Sequence, residues 1–373
     1  VLVSACLYSA AALAQAQAVD ATGSRDAVEL DAVRVNAYRT VTHTSGATKT
    51  DTPIAETAKS VSVIAREELD ARGVVNLNEA MRYVAGVVLE STGADNRYDD
   101  FRIRGFIAGS ESGAMTVDGL RAPPPGTAWN RGKIDTWNLD RVEVLKGPSA
   151  VMYGQVAPGG LVNQVSKTPE PGQRQVLQLG VDGHGTVSGA FDVSTGSDDN
   201  QHLVRLVGRV ADGGTQIDTV EQTHWFLAPS YSWQIADKTR LTLLGYYQED
   251  NGGSTYQFLP MDGTLIPTAY GYMDNRTFIG EPTWDTWDAT VWHAGWLFEH
   301  AFNDNWTFSQ SARHMHIDSV YRAIITNQGL LADGRTQRRR QVAGYGDADN
   351  NSVDNRIVGK FDTGALEHTL LFV

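Results

Sequence analysis

Residues 141–169 read RVEVLKGPSAVMYGQVAPGGLVNQVSKTP, and the two ends of this stretch border regions that obey different rules. Val142, Val144 and Leu145 mark a short buried strand that runs into a Gly-Pro turn. The small-residue segment 149–160 follows, with Gly154, Gly159 and Gly160 where a backbone turns tightly or lies close against another. Leu161–Ser166 resumes an apolar/polar alternation, and Pro169-Glu170-Pro171 closes the unit. Beyond that break the period is two. Val204, Leu206, Gly208 and Val210 fall on one face, Arg205 and Arg209 on the other. Trp292, Ala294, Trp296, Phe298 and Phe302 oppose His293, Gly295 and Glu299, and Trp306, Phe308 and Ala312 oppose Thr307, Ser309, Ser311 and Arg313. One apolar face and one face that carries Arg and Glu is what a strand needs with lipid outside and water or packed protein inside.

Upstream, residues 52–169 read as one small domain of mixed helices and strands. Ser60–Ile64 is a strand, helices are expected over 66–72 and 76–83 with Gly86 as a stop, and further strands with turns lie at 102–106 and 114–119. From 173 onward, short connections near 196–200, 236–238, 303–305 and 363–367 alternate with those at 183–186, 212–218, 250–286 and 325–337. Short turns at one end and long loops at the other are the barrel signature. The pattern gives about nine strands, whereas a barrel that encloses a plug uses about 22, so the chain reads as the N-terminal part of a longer barrel. The expected fold class is an α+β plug over 52–169 followed by an antiparallel transmembrane β-barrel over 173–373.

Net charge is −13 with 31 Lys+Arg, which argues against a nucleic-acid partner. With 37 Gly, 9 Trp, 13 Tyr and 41% hydrophobic residues, no run after residue 20 approaches the roughly 18 apolar residues of a spanning helix. Barrel strands need only one apolar face, so low mean hydropathy is compatible with a membrane. Residues 1–18 (VLVSACLYSAAALAQAQA) read as a secretory signal whose first residues are missing, cleaved after Ala16 or Ala18. The only cysteine, Cys6, lies within it, so the mature protein has no disulfide framework. In the segment 19–51, Glu29–Ala37 is an isolated alternating island that finds no core of its own and suits strand addition to a partner.

Several strings resemble TonB-dependent outer-membrane siderophore receptors, in the ferric-hydroxamate (ferrichrome-type) branch. They are RVEVLKGP, YGQVAPGGLVN and VSKTP here, with TPIAETAKSVSVI, LNEAMRYVAGV, FRIRGF and VDGL upstream, so the resemblance covers the whole plug. It implies that LDAVRVNA is a TonB box, in which Leu30, Asp31, Ala32, Val33, Arg34 and Val35 dock to a TonB-type energy-transducing protein in the periplasm. It implies a monomer in outer-membrane lipid that imports a pre-chelated ferric siderophore, with no cofactor and no metal ligands of its own. By the same likeness Arg104, in IRGF, matches an arginine aimed at the ligand; a structural arginine between plug and wall is the alternative. Trp129, Asn130 and Trp137 lie in an apical segment, PPPGTAWNRGKIDTW, where Trp129 suits contact and Trp137 either contact or packing. TYQFLPMDGTLIP and FIGEP resemble the family's third external loop, which turns Tyr256 and Phe258 to the ligand. Arg141, Glu143 and Lys146 stand in the motif that holds plug against barrel, with plain plug packing as the alternative.

No catalytic arrangement emerges. GTAWNRGKI (126–134) has the wrong spacing for a phosphate loop, and no Ser or Thr follows its lysine. His314 and His316 share the face of Trp306 and Phe308 and suit an interfacial girdle better than a metal site. The competing readings are a receptor for haem, cobalamin, a catecholate or a citrate chelate, a passive porin, and an outer-membrane enzyme. A porin needs neither plug nor island, and an enzyme needs a nucleophile–base pair.

Overall fold

The computed structural model describes residues 41–373 apart from 51, 91, 92, 94, 111, 122–131, 149–151 and 155. All of these belong to the unit Tyr38–Val373.

The stretch 141–169 supplies the middle of a five-stranded sheet ordered β1-β7-β8-β5-β6. β7 (Leu139–Lys146) lies between β1 (Ser60–Ala65) and β8 (Gly160–Ser166), antiparallel to both, and β8 runs parallel to β5 (Met115–Val117). Val142, Val144, Leu145, Leu161 and Val162 are fully buried there. The glycines of the turn are needed for close approach. A Cβ on Gly159 would come within 2.1 Å of the Ile103 carbonyl oxygen, and one on Gly160 within 2.0 Å of that of Leu145.

Helix α1 spans Ser45–Thr48, α2 Arg66–Ala71 and α3 Leu77–Ala80. Asn76 caps α3 by accepting from the Glu79 N–H, which ties the helix start to the sequence. The expected helix 76–83 is therefore shorter, its last part passing into turns before Gly86 (φ 80°). A second sheet joins β2 (Val87–Leu89), β3 (Phe101–Ile103) and β4 (Phe106–Ile107). Its turn, Arg104-Gly105, and the Asp118-Gly119 turn between β5 and β6 (Leu120–Arg121) have positive φ at both residues. That is the two-residue geometry matched to strand twist.

Residues 174–372 form one nine-stranded antiparallel sheet, β9 to β17, in which each strand pairs with its neighbours in sequence. The strands are Arg174–Val181, Val187–Gly196, His202–Gly214, Glu221–Ala236, Thr239–Gly252, Thr286–Ala301, Trp306–Leu330, Gln337–Thr363 and Leu366–Phe372. β9 and β17 are its edges, so the sheet is a partial barrel wall. Its faces follow the alternation: Val204, Leu206, Val210, Leu243 and Trp296 are exposed outward, whereas Arg205, His293 and Arg313 are buried against the plug. Among the described residues no helix is long and apolar enough to cross a membrane. The expected loop 325–337 is mostly strand. Ile324 and Ile325 pair with Gln341 and Arg340 and are buried, so the hairpin β15–β16 continues to a turn at 331–336.

Candidate functional site

The long connections, 253–285 above all, mark one end of the wall as the outer one. There the plug segment after β2 meets the start of the long loop. The Asn96 N–H donates to Thr255 Oγ1 and the Thr255 N–H to Asn96 Oδ1, both at 3.0 Å. Lys133 Nζ donates to the Asn96 carbonyl at 2.8 Å, so the plug segments around Asn96 and Lys133 are fastened together.

Arg97 lies within this joint and is 3% exposed. Its guanidinium carbon is 3.9 Å from the ring centre of Tyr256 in the loop and 4.3 Å from that of Tyr321 on β15. Asp95 holds the fork from one side, with Nε to Oδ1 at 2.8 Å. Burial works against this charge, but Asp95 outweighs it and raises the guanidinium's pKa further. Tyr256 meets Phe258 edge-on at 4.8 Å, and Tyr321 meets Trp287 at 6.4 Å. The result is an aromatic cluster around a fixed cation, built from plug, loop and wall, with Phe258 as its exposed member. The loop is pinned behind it: Thr326 Oγ1 donates to the Phe258 carbonyl at 2.6 Å, and Arg339 to that of Gly280 at 2.7 Å.

Beside this surface a cavity of about 380 Å³ runs along the plug–wall seam, lined by Asn96, Tyr98, Asp99, Lys133, Asp135 and His224 among others. Asp99 is 2% exposed with Oδ2 unpartnered among the described residues, and burial pushes its carboxyl up to about 6 although Lys133 pulls the other way. Asp135 is the opposite case. Burial would raise it, yet the hydrogen bond from His224 (2.7 Å), the Arg209 guanidinium (3.3 Å) and the Trp137 N–H hold it down at about 2. His224 also meets Asp250 at 2.8 Å, so one imidazole ties plug to wall.

Tyr256 and Phe258 stand together at the outer end, and Arg97 joins them where Arg104 was expected. Arg104 is exposed in the β3–β4 turn at φ 51°. Its guanidinium lies over Gly147, and the Arg104 backbone N–H donates to the Gly86 carbonyl. The tight turn after β3 directs it to that side, so it contributes no donor to the aromatic cluster. Trp137 is packed beneath the seam, where Nε1 donates to the Phe191 carbonyl at 3.1 Å and Lys167 sits 4.3 Å from the ring. Trp129, Asn130 and the island residues Leu30–Val35 lie outside the described residues.

Polar partners of Arg141, Glu143 and Lys146 lie within the plug. Arg141 bonds Glu143 and Asp140, Glu143 accepts from Asn163, and Lys146 donates to Ser62 and Ala85. Ties across the seam come from elsewhere. Lys167 and Arg205 share the buried Asp192, Arg313 donates to plug carbonyls, and Lys49 pairs with Asp354. The motif thus builds the plug sheet, while residues scattered over the wall strands close the seam. Sequence reasoning missed Arg97, Tyr321 and His224. Only NRYDD, an arginine beside a tyrosine in an apical plug segment, offered a signal for the first.

His314 and His316 face outward beside Trp292 (5.0 and 5.9 Å) and pair with Asn351 and Asp349. Among the described residues no group of three or more His, Cys, Asp or Glu is arranged to hold a metal ion.

Residues 53–161 match the family described as TonB-dependent Receptor Plug Domain. The chain is 33% identical over 332 residues to the Ferrioxamine B receptor of Salmonella typhimurium (strain SL1344), covering 88% of this chain and 46% of that protein. It is 32% identical over 344 residues to the Ferrichrome outer membrane transporter/phage receptor of Escherichia coli K12, covering 87% and 45%. The chain therefore spans about half the length of the curated relatives it matches. Among solved structures, the ferripyoverdine receptor of the outer membrane of Pseudomonas aeruginosa superposes with a TM-score of 0.78 at 21% identity, covering 88% of this chain and 43% of that one. The ferric-catecholate import receptor Fiu of E. coli K12, in its open form, gives 0.74 at 25%, covering 87% and 49%.

Proposed function

We propose that the chain belongs to the TonB-dependent outer-membrane receptors, on the plug-domain match and the relatives above, and that its protein captures a ferric hydroxamate siderophore at the outer end and imports it by rearranging the plug. The observation that carries this reading is Arg97, a charged fork held between Tyr256 of the loop and Tyr321 of the wall. Charge-assisted donors suit the metal-bound oxygens of a ferric hydroxamate, and aromatic faces suit its methylene chains. The relatives named for ferrioxamine B and ferrichrome favour the hydroxamate class over catecholates. Iron arrives already chelated, so the protein needs no resident cofactor. Energy comes from a TonB-type protein that pairs with the Leu30–Val35 island, and Arg141, Glu143 and Lys146 keep the plug sheet intact while the seam opens.

The test is a titration of the purified receptor with ferric ferrioxamine B, ferric ferrichrome, a ferric catecholate, haem and cobalamin, followed by tryptophan fluorescence. Trp287 meets Tyr321 edge-on, so a chelate bound here quenches it. Saturable quenching by one hydroxamate is expected; saturation by the catecholate, haem or cobalamin alone would assign another ligand class. Deleting Glu29–Ala37 then leaves binding intact and abolishes uptake. Uptake that persists without the island would rule out energised transport.

A further inference from the structure

One buried base on the inner face of the wall is not accounted for by packing. His293, on β14, is 4% exposed, and neither of its ring nitrogens has a hydrogen-bond partner among the described residues. Its ring stacks on Tyr246 of β13 at 5.1 Å and 7°. Tyr246 in turn stacks on Phe226 of β12 at 5.4 Å and 20°, so three rings form a rung across three adjacent strands. A phenylalanine at 293 would complete the same rung without stripping two polar atoms of water.

Polar neighbours of His293 do have partners, and all but one of those partners belong to the plug. Arg313 on β15 donates to the Val117, Leu120 and Arg121 carbonyls of the β5–β6 hairpin at 2.8, 3.0 and 3.3 Å. The Tyr246 hydroxyl accepts from the Asp135 N–H at 3.0 Å and donates to Gln248 Oε1 of its own strand. Arg313 lies one rung below, paired with Gly295, while His293 pairs with Tyr246 on one side and Met315 on the other. Withdrawal of the plug removes the plug partners together and leaves the Tyr246 hydroxyl free to accept. It leaves a guanidinium, a phenol and an imidazole as neighbouring hydrogen-bonding groups around a flat aromatic surface.

We propose that the rung Phe226–Tyr246–His293, with Arg313, is a transit site in the wall for the ferric hydroxamate, occupied once the plug has withdrawn. His293 and Arg313 donate to the chelate's oxygens, and the rings carry its apolar linkers. The inference rests on the transport reading above. It gives the imidazole a use that the closed seam does not, since its hydrogen-bonding capacity is kept for the moving ligand.

His293→Phe tests it, because the variant keeps the stack and removes only the two nitrogens. External affinity for ferric ferrioxamine B or ferrichrome, whichever the wild type takes up, is expected to stay within about twofold, with the plug equally resistant to protease. The maximal uptake rate is expected to fall about five- to tenfold, the loss of roughly one charge-assisted hydrogen bond. His293→Gln, which restores a donor and an acceptor, recovers at least about half of the wild-type rate. Wild-type uptake in His293→Phe would overturn the transit site, and so would a loss of external affinity in step with uptake. Wild-type receptor that takes up neither chelate would instead refute the transport reading itself.

Discussion

Arg97 owes its position to three neighbours of different origin: Asp95 two residues before it, Tyr256 from a loop, and Tyr321 from the wall. A lysine keeps the charge but loses the planar fork and its two stacking faces. Arg97→Lys is therefore expected to weaken hydroxamate binding about tenfold or more, through roughly 1.5–3 kcal/mol of charged hydrogen bonding and stacking. Plug docking should be unchanged by protease resistance. Unaltered affinity would remove Arg97 from the binding surface. The sequence offered Tyr256 and Phe258 through loop likeness, and the structure does gather them. It offered Arg104 on the strength of IRGF, and there the turn decides. Arg104 and Gly105 both take positive φ, which folds the chain back and sends the side chain toward Gly147.

At the scale of elements, the glycine-rich turn and the strands it joins carry the plug. Gly159 and Gly160 let β8 press against Ile103 and Leu145 with no room for a methyl group. Gly160→Ala is expected to cost about 2 kcal/mol or more, since it adds both a clash and a strained backbone at φ 137°. It should expose the plug to protease while the wall strands stay protected; equal resistance of both would contradict the packing described. The period-two alternation placed Arg205, His293 and Arg313 on the inner face correctly, because a strand's faces follow from its pleat alone. Strand length was less legible. Residues 325–330 are rich in polar groups and read as loop, yet pairing with β16 extends the strand to Leu330.

Across the whole molecule, the seam between plug and wall is held by ionic ties rather than by one motif. Asp135 is the clearest of these on the plug side. Its carboxyl titrates at about 2, below the ordinary value near 3.9. A depressed carboxylate stabilises the folded state fully above its unfolded pKa and loses that contribution as pH falls through the folded one. The tie is thus worth on the order of 2 kcal/mol at neutral pH. The plug should stay docked down to about pH 4 and loosen progressively between about pH 4 and pH 2, read as protease cleavage within 132–140. Asp135→Asn should loosen it at neutral pH as well, and a flat pH profile in the wild type would remove this carboxylate from the seam.

The order of the chain, a mixed plug and then antiparallel strands with one apolar face, was determined by the sequence itself. Glycine spacing, turn residues and two-residue periodicity are local signals that hold whatever the fold does with them. The seam was decided only in three dimensions. His224 comes to Asp135 across 89 residues, Arg313 to the Val117 carbonyl across 196, and Lys49 to Asp354 across 305. No periodicity records such meetings. They follow from a sheet that curves around a separately folded domain, and each contact depends on where both bodies place their backbones.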